Sequence, residues 1–373
     1  AGGDIISTTG GAGTITLTTT AGGTMILSDS LSSVEGGAVT LTNAGTLTLS
    51  ASVLASGGFN QNGAGGVTLG ANITTTGDPV SFLRAVTLSA GCIIDSTNGG
   101  SDPAGGNITF QSTLSGAQAL TLYGGSGGTV TFTGAVGAPS LTALTIDSAL
   151  STVVSSNASF NGSVSITSNE INLNGVAGSF SGNNSLVLQP YTVSQAIAIG
   201  GAADTGGGTL DLTAADIAAL ADGFTSITIG SASGTGAIAV NGAVTFYDPV
   251  TIQSPAGAGS ITLSAAVTGL GNGSITLDAG TGGITLGASI ITAGNLITLN
   301  GPATVTANIS LDTTNSGGTP VGAVITLSGT VDENAADTRQ LTLRCGQQTL
   351  TVSQGVGITN RFSVLTIIAD DIA

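Results

Sequence analysis

The chain repeats itself at long range. Gly65–Val80 (GGVTLGANITTTGDPV) aligns with Gly282–Ile297 (GGITLGASIITAGNLI), residue 282 against residue 65, a constant offset of 217. The same offset carries Asp95-Ser-Thr-Asn98 onto Asp312-Thr-Thr-Asn315, and Asn107-Ile-Thr-Phe110 onto Val324-Ile-Thr-Leu327. After a slip to about 220, Thr129–Val136 meets Thr349–Val356, and upstream Leu47–Val53 matches Ile261–Val267. The repeat thus runs over residues 47–147 and 261–367. A long unit recurring within one chain belongs to an array. The expectation is one continuous solenoid over residues 1–373, itself a segment of a longer array.

Beneath the long repeat runs a shorter beat of apolar–Thr–apolar. Examples are Ile15-Thr-Leu17, Val39-Thr-Leu41, Val67-Thr-Leu69, Ile227-Thr-Ile229, Ile275-Thr-Leu277 and Ile325-Thr-Leu327. Side chains alternate across a strand, so each beat reads as a very short strand with both apolar residues inward and Thr outward. Two beats span roughly 20–24 residues, which suits one coil of a parallel β-solenoid whose rungs stack about 4.8 Å apart. An antiparallel sandwich needs strands of about five or six residues joined by hairpin turns. The strands here are shorter, and the Gly-rich spacers lack regular Asn-Gly turns. At about 21 residues per coil the chain predicts roughly 17 rungs over about 80 Å.

Two stretches interrupt the beat. Asp211–Gly223 is the one passage of helical text, with Thr213 as cap, Asp216 in the first turn and Gly223 as stop. It predicts a two- to three-turn excursion near 213–223 lying on the solenoid. Ser181–Thr205, with Gln189-Pro-Tyr191 and a Gly-rich run, predicts a longer loop.

Composition narrows function. The chain has no Lys, His or Trp and four Arg against 20 acids, a net charge of −16. No basic patch exists to displace counterions from phosphate, which argues against nucleic acid and against an anionic membrane surface. No run reaches the roughly 18 apolar residues of a spanning helix, so no membrane insertion is expected. Cys92 and Cys345 make no disulfide framework. About 250 residues separate them, hence roughly 12 rungs in a straight solenoid, far beyond the reach of one bridge.

At this level the chain resembles the β-strand-repeat proteins of the filamentous-haemagglutinin type, large secreted bacterial exoproteins. The resemblance rests on Gly65–Val80, on Asn107-Ile-Thr-Phe110 with Leu120-Thr-Leu122, and on Val130–Val136 with Leu144-Thr-Ile146. It extends to Leu186-Val-Leu-Gln-Pro190 through Gly223-Phe-Thr-Ser-Ile-Thr-Ile229. It implies a right-handed parallel β-helix, export to the bacterial cell surface, and work as an adhesin or fibre.

Catalysis finds little material. Solenoid lyases and hydrolases need two or three carboxylates on neighbouring rungs, often with Arg or Lys. The densest acidic group is Asp332-Glu333 with Asp337 beside Arg339, and its counterpart Ser115-Gly-Ala-Gln118 has no acid, so a solvated turn is expected. Without His there is no Ser/His/Asp or Cys/His nucleophile. No Cys/His cluster suits zinc, and only pairs such as Asp332-Glu333 or Asp370-Asp371 offer oxygen to calcium. The Gly206–Gly208 string reads as a turn. Thr14-x-Thr16-x-Thr18 and Thr46-x-Thr48 resemble ice-binding arrays, but outward partners such as Ser165, Asn172 and Ala239 argue against a uniform lattice. The Asn-x-Ser/Thr sequons at Asn72, Asn107, Asn157, Asn272 and Asn308 follow from composition.

The expectation is therefore a structural or adhesive extracellular solenoid with no enzymatic activity, no catalytic or metal residues and no cofactor. Its expected partners are copies of itself, stacked head to tail, and host or matrix glycans or other cells. Carbohydrate binding or cleavage along the side of the rod is the alternative.

Overall fold

Three inward-outward residues make a strand here, and three strands make a turn. The computed structural model describes residues 6–7, 13–201 and 208–373, and in it every named strand pairs in parallel with its counterpart about one turn away. Ala1–Ile5 and Gly206-Gly207 of the Gly206–Gly208 string lie outside the described residues. The chain forms two compact units, Ala1–Asn184 and Ser185–Ala373. Each is a parallel β-solenoid, and about 15 turns are present in all.

In the first unit one turn runs through Val39–Thr42, Leu47–Leu49 and Val53–Ala55 before Phe59–Gln61 returns beneath Val39–Thr42. Each turn thus contributes one strand to each of three faces, where the beat had suggested two strands per coil. The extra strands escape the pattern because Thr is not at their centre: Val53-Leu-Ala55, Phe59-Asn-Gln61 and Val80-Ser-Phe82. The second unit is also three-faced, its first, second and third faces starting at Ser185–Gln189, Thr209–Leu212 and Val244–Phe246.

Turns are unequal, which is why there are fewer than the anticipated 17. Val39 to Phe59 is 20 residues (59 − 39), whereas Val80 to Ile108 and Ile297 to Ile325 are each 28 (108 − 80; 325 − 297). Leu186 to Ile227 is 41 (227 − 186). The 28-residue turns carry the same loop twice, in the two copies of the repeat. Asp95 Oδ1 accepts Thr97 N–H and Oγ1–H at 2.7 Å, and Asp312 Oδ1 accepts Thr314 N–H and Oγ1–H at 2.7 Å. Ser96 Oγ donates to Gly106 O at 2.8 Å, and Thr313 Oγ1 donates to Ala323 O at 2.8 Å. Gly105 and Gly322 both adopt positive φ, 62° and 64°, where a Cβ would strike the carbonyl of Gly124 or Cys345. Offset identity in sequence has become atomic identity in structure.

Inward residues stack in columns. Phe82, Phe110 and Phe132 lie in one register line, with ring centroids 5.3 Å apart and planes within 8° and 6° of parallel. Such pairs add roughly 0.5–1.5 kcal/mol each beyond their burial. Polar groups inside the corners are paired. Fully buried Gln61 donates through Nε2 to Asn43 Oδ1 at 2.7 Å, and Asn43 Nδ2 donates to Gly45 O at 2.7 Å and Gly65 O at 2.9 Å. Gly65 must be glycine, since a Cβ there would sit 1.8 Å from Gly45 O.

Corner asparagines tie successive turns. Asn72, Asn107 and Asn308, each just before a strand, accept through Oδ1 the N–H of Ile93, Thr129 and Gln340 at 2.8–2.9 Å. The sequon pattern at these three sites therefore arises from a cap followed by an Ile-Thr or Ile-Ser strand. Of the expected loop at 181–205, residues 202–205 lie outside the described residues, and the rest contains strands Ser185–Gln189 and Ala196–Ile199, whose Leu186, Leu188, Ile197 and Ile199 are buried.

The helix is shorter than anticipated, Ala214–Ala219, with Thr213 and Asp216 forming a reciprocal capping box. It ends early because Leu220 turns to extended backbone and buries its side chain. It is the short helical excursion anticipated near 213–223. It packs against Thr209–Leu212 and Val244–Phe246, the outermost strands of the second and third faces of the second unit, where it covers a strand edge.

Phe110→Ala is expected to lower stability by about 3–5 kcal/mol through loss of the stacked ring, and Asn43→Ala by about 1–3 kcal/mol through stranded amide and carbonyl groups. Thermal melts followed by circular dichroism check both. An unchanged midpoint for Asn43→Ala would show that the corner network contributes nothing.

Candidate functional site

Of the acidic residues that sequence reading singled out, Asp332 and Glu333 accept backbone N–H groups. Glu333 ends the strand Val331–Glu333 with its side chain inward, 1% exposed. Its Oε1 accepts Thr338 N–H at 2.8 Å and its Oε2 accepts Arg339 N–H at 2.7 Å. Asp332 Oδ1 accepts Thr359 N–H at 2.8 Å, and Asp337 pairs with Arg361 at 2.8 Å on the exposed side of the same corner. Arg339 reaches Asn334 Oδ1 at 3.5 Å. These four residues are neighbours, but they fasten the loops 334–339 and 355–363 to each other. The expectation of a solvated turn holds for Asp337 and fails for Glu333, because alternation along the strand turns residue 333 inward while 332 faces out.

Asp370 and Asp371 are exposed, and Asp371 Oδ1 accepts Ile372 N–H at 2.9 Å. Among the described residues no three His, Cys, Asp or Glu side chains converge as metal ligands do. Arg344 stands 3.7 Å from Asp312 in the second copy of the long loop, where Tyr123 stands beside Asp95 in the first.

Both thiols are free and buried. Burial pushes the Cys92 thiol up to about 11, and its Sγ lies 3.2 Å from Ala90 O. Cys345 is also raised, by burial first and then by the Asp312 charge. Neither has the electropositive, accessible surroundings of a reactive cysteine.

Outside the acidic corner, the most regular polar surface is the first face of the second unit. Thr228, Thr251, Thr276, Thr298, Thr326 and Thr351 follow one another rung by rung in exact register, all half-buried. Beside them Gln253, Asp278 and Asn300 form a second register line. Burial raises the Asp278 carboxyl above the ordinary carboxylate range. Of the residues that argued against a uniform threonine array, Asn172 and Ala239 lie in Ile171–Leu173 and Ala237–Val240 on other faces, whereas Ser165 in Val164–Ser168 belongs to the same sheet as the column, in the first unit. Successive members lie 22 to 28 residues apart (298 − 276; 326 − 298), so the column is hidden in the linear sequence.

No protein-family model matches the chain, nor does any curated protein or solved structure.

Cys92 and Cys345 are expected to resist alkylation at pH 8 in the folded protein and to react within minutes in denaturant, since the Cys92 thiol near 11 is only about 0.1% thiolate there and burial raises Cys345 as well. Mass spectrometry of the labelled chain reads both states; rapid native labelling of Cys92 would contradict the burial.

Proposed function

We propose that this chain is a structural and adhesive β-solenoid of a bacterial cell surface, of the filamentous-haemagglutinin type, working by stiffness and repetition. What supports it is the way the chain uses its chemistry. Its regular inward columns and rung-to-rung hydrogen bonds build a stacked repeat, while the most clustered carboxylates bind backbone N–H groups. Repeated weak contacts along such a repeat multiply into useful avidity.

One observation carries the reading of self-association: every named strand pairs in parallel with an equivalent strand about one turn away, so a second copy offers strands of the same register and spacing for contact. That contact is heterologous and need not close, so it generates filaments in place of rings. Light scattering across concentration, with electron microscopy, tests it. The expected result is growth beyond the 35.5 kDa chain with rising concentration. A uniform monomer at high concentration without fibres overturns it.

A second reading, carbohydrate binding along the side, is favoured by the threonine column and its Gln253–Asp278–Asn300 neighbour on one face. Hydroxyls, amides and a carboxylate at a fixed rung spacing of about 4.8 Å suit the hydroxyls of an extended glycan. A glycan array should then show binding that falls at least several-fold in Thr276→Val with Asp278→Asn. Sugar cleavage abolished by Asp332→Asn or Asp337→Asn would replace both readings with an enzyme.

A further inference from the structure

Seven Asn-Gly pairs lie along the chain, at Asn62, Asn98, Asn161, Asn174, Asn241, Asn272 and Asn300. In such a pair the next backbone nitrogen can close a ring onto the Asn amide carbon, because glycine has no side chain to obstruct the approach. By sequence alone all seven are equal candidates for this self-modification. The reaction needs an Asn side chain free to swing, a Gly N–H without a partner, and a backbone with room to move.

Six of the turns deny at least one of these. Gly99 N–H is held by Asp95 Oδ2 at 2.7 Å, with Asn98 itself at a φ of 55°. Gly273 N–H is held by Leu270 O at 2.8 Å, and Asn241 and Gly242 both donate to Ile199 O, at 2.9 and 3.4 Å. The side chains of Asn300 and Asn62 are anchored, Asn300 Oδ1 accepting Ser328 Oγ–H at 3.0 Å and Asn62 Oδ1 accepting Thr42 Oγ1–H. Gly63 and Gly162 are buried against neighbouring backbone, where an added Cβ would stand 2.2 Å from Asn43 N and 1.5 Å from Thr142 O.

Asn174 is different. It directly follows the strand Ile171–Leu173 and is exposed, at the start of a loop in which Val176 is 75% exposed. Its backbone N–H donates to Val154 O at 2.9 Å, which fixes the near end of the loop. Among the described residues its side chain and the Gly175 N–H have no partner. What packs on Gly175 is the Ser179 side chain, whose Oγ would stand 2.0 Å from an added Cβ, while Ser156 O lies 3.6 Å from it. Ser179 N–H closes on Val176 O at 3.0 Å within the same loop.

We infer that Asn174 is a spontaneous deamidation site, selected by the fold from seven equal candidates. Gly175 N gives its proton to solvent base and attacks Asn174 Cγ. The new N–C bond closes a succinimide, the bond from Cγ to the amide nitrogen breaks, and ammonia leaves. Solvent water then opens the ring at either carbonyl, leaving aspartate or isoaspartate and one added negative charge. Nothing is oxidised or reduced. The extra backbone atom of isoaspartate falls between strands Ile171–Leu173 and Phe180–Gly182, where no strand pairing is interrupted. This site stands apart from the adhesive reading and does not depend on it.

Incubation of the folded whole chain at mildly alkaline pH, with peptide mapping by mass spectrometry over time, tests the site. Asn174 is expected to convert at least about tenfold faster than any of the other six, because those turns must open before they react. In denaturant the seven rates should converge. Anion exchange should resolve an early acidic variant of the folded protein, and Asn174→Gln should remove it. Conversion led by another Asn-Gly pair in the folded chain, or a lead of Asn174 that persists undiminished in denaturant, overturns the inference.

Discussion

Parallel register is the constraint on which everything else depends. A strand of three residues has no stability alone, and a turn of three such strands buries only half of each strand's contacts. Stacked at one rung spacing, every strand finds its hydrogen bonds in the turns before and after, and every inward side chain meets its equivalent. The stacked Phe82, Phe110 and Phe132 show this directly, each ring seated against the next. A slip of one residue would turn the apolar columns outward, so the alternation apolar–Thr–apolar fixes register as well as strand.

Corners are the harder problem, because chain reversal leaves N–H and C=O groups unpaired near the core. The chain answers with small polar side chains in place of charged ones. Asn43 with Gln61, Ser96 with Gly106, and Thr313 with Ala323 close inner corners, while Asn72, Asn107 and Asn308 link outer ones. Carboxylates do the same work where loops are long: Asp95, Asp312, Glu333 and Asp248 all accept backbone N–H groups. The scarcity of Lys and Arg follows the same logic, since these acids are balanced by backbone dipoles.

Helix and strand in residues 209–220 show how an interruption can serve the array. Thr209–Leu212 pairs with Ala196–Ile199 only 13 residues earlier (209 − 196), and the helix packs beside Val244–Phe246. The inserted chain covers edges that short parallel strands would otherwise leave bare.

The linear pattern by itself determined a great deal. The 217-residue offset and the short beat specify a parallel solenoid, a capped helix at Thr213 and Asp216, and two structurally equal loops at Asp95 and Asp312, because each depends on local alternation or local hydrogen bonding. Only the tertiary structure decided the rest. It set three faces per turn, because strands such as Phe59-Asn-Gln61 earn their place by stacking and not by carrying Thr. It turned Glu333 inward and Asp332 outward, made caps of asparagines that look like chance sequons, and aligned six threonines from Thr228 to Thr351 in one register column. Face and depth depend on which residues lie one turn apart, and unequal turn lengths erase that distance from the sequence.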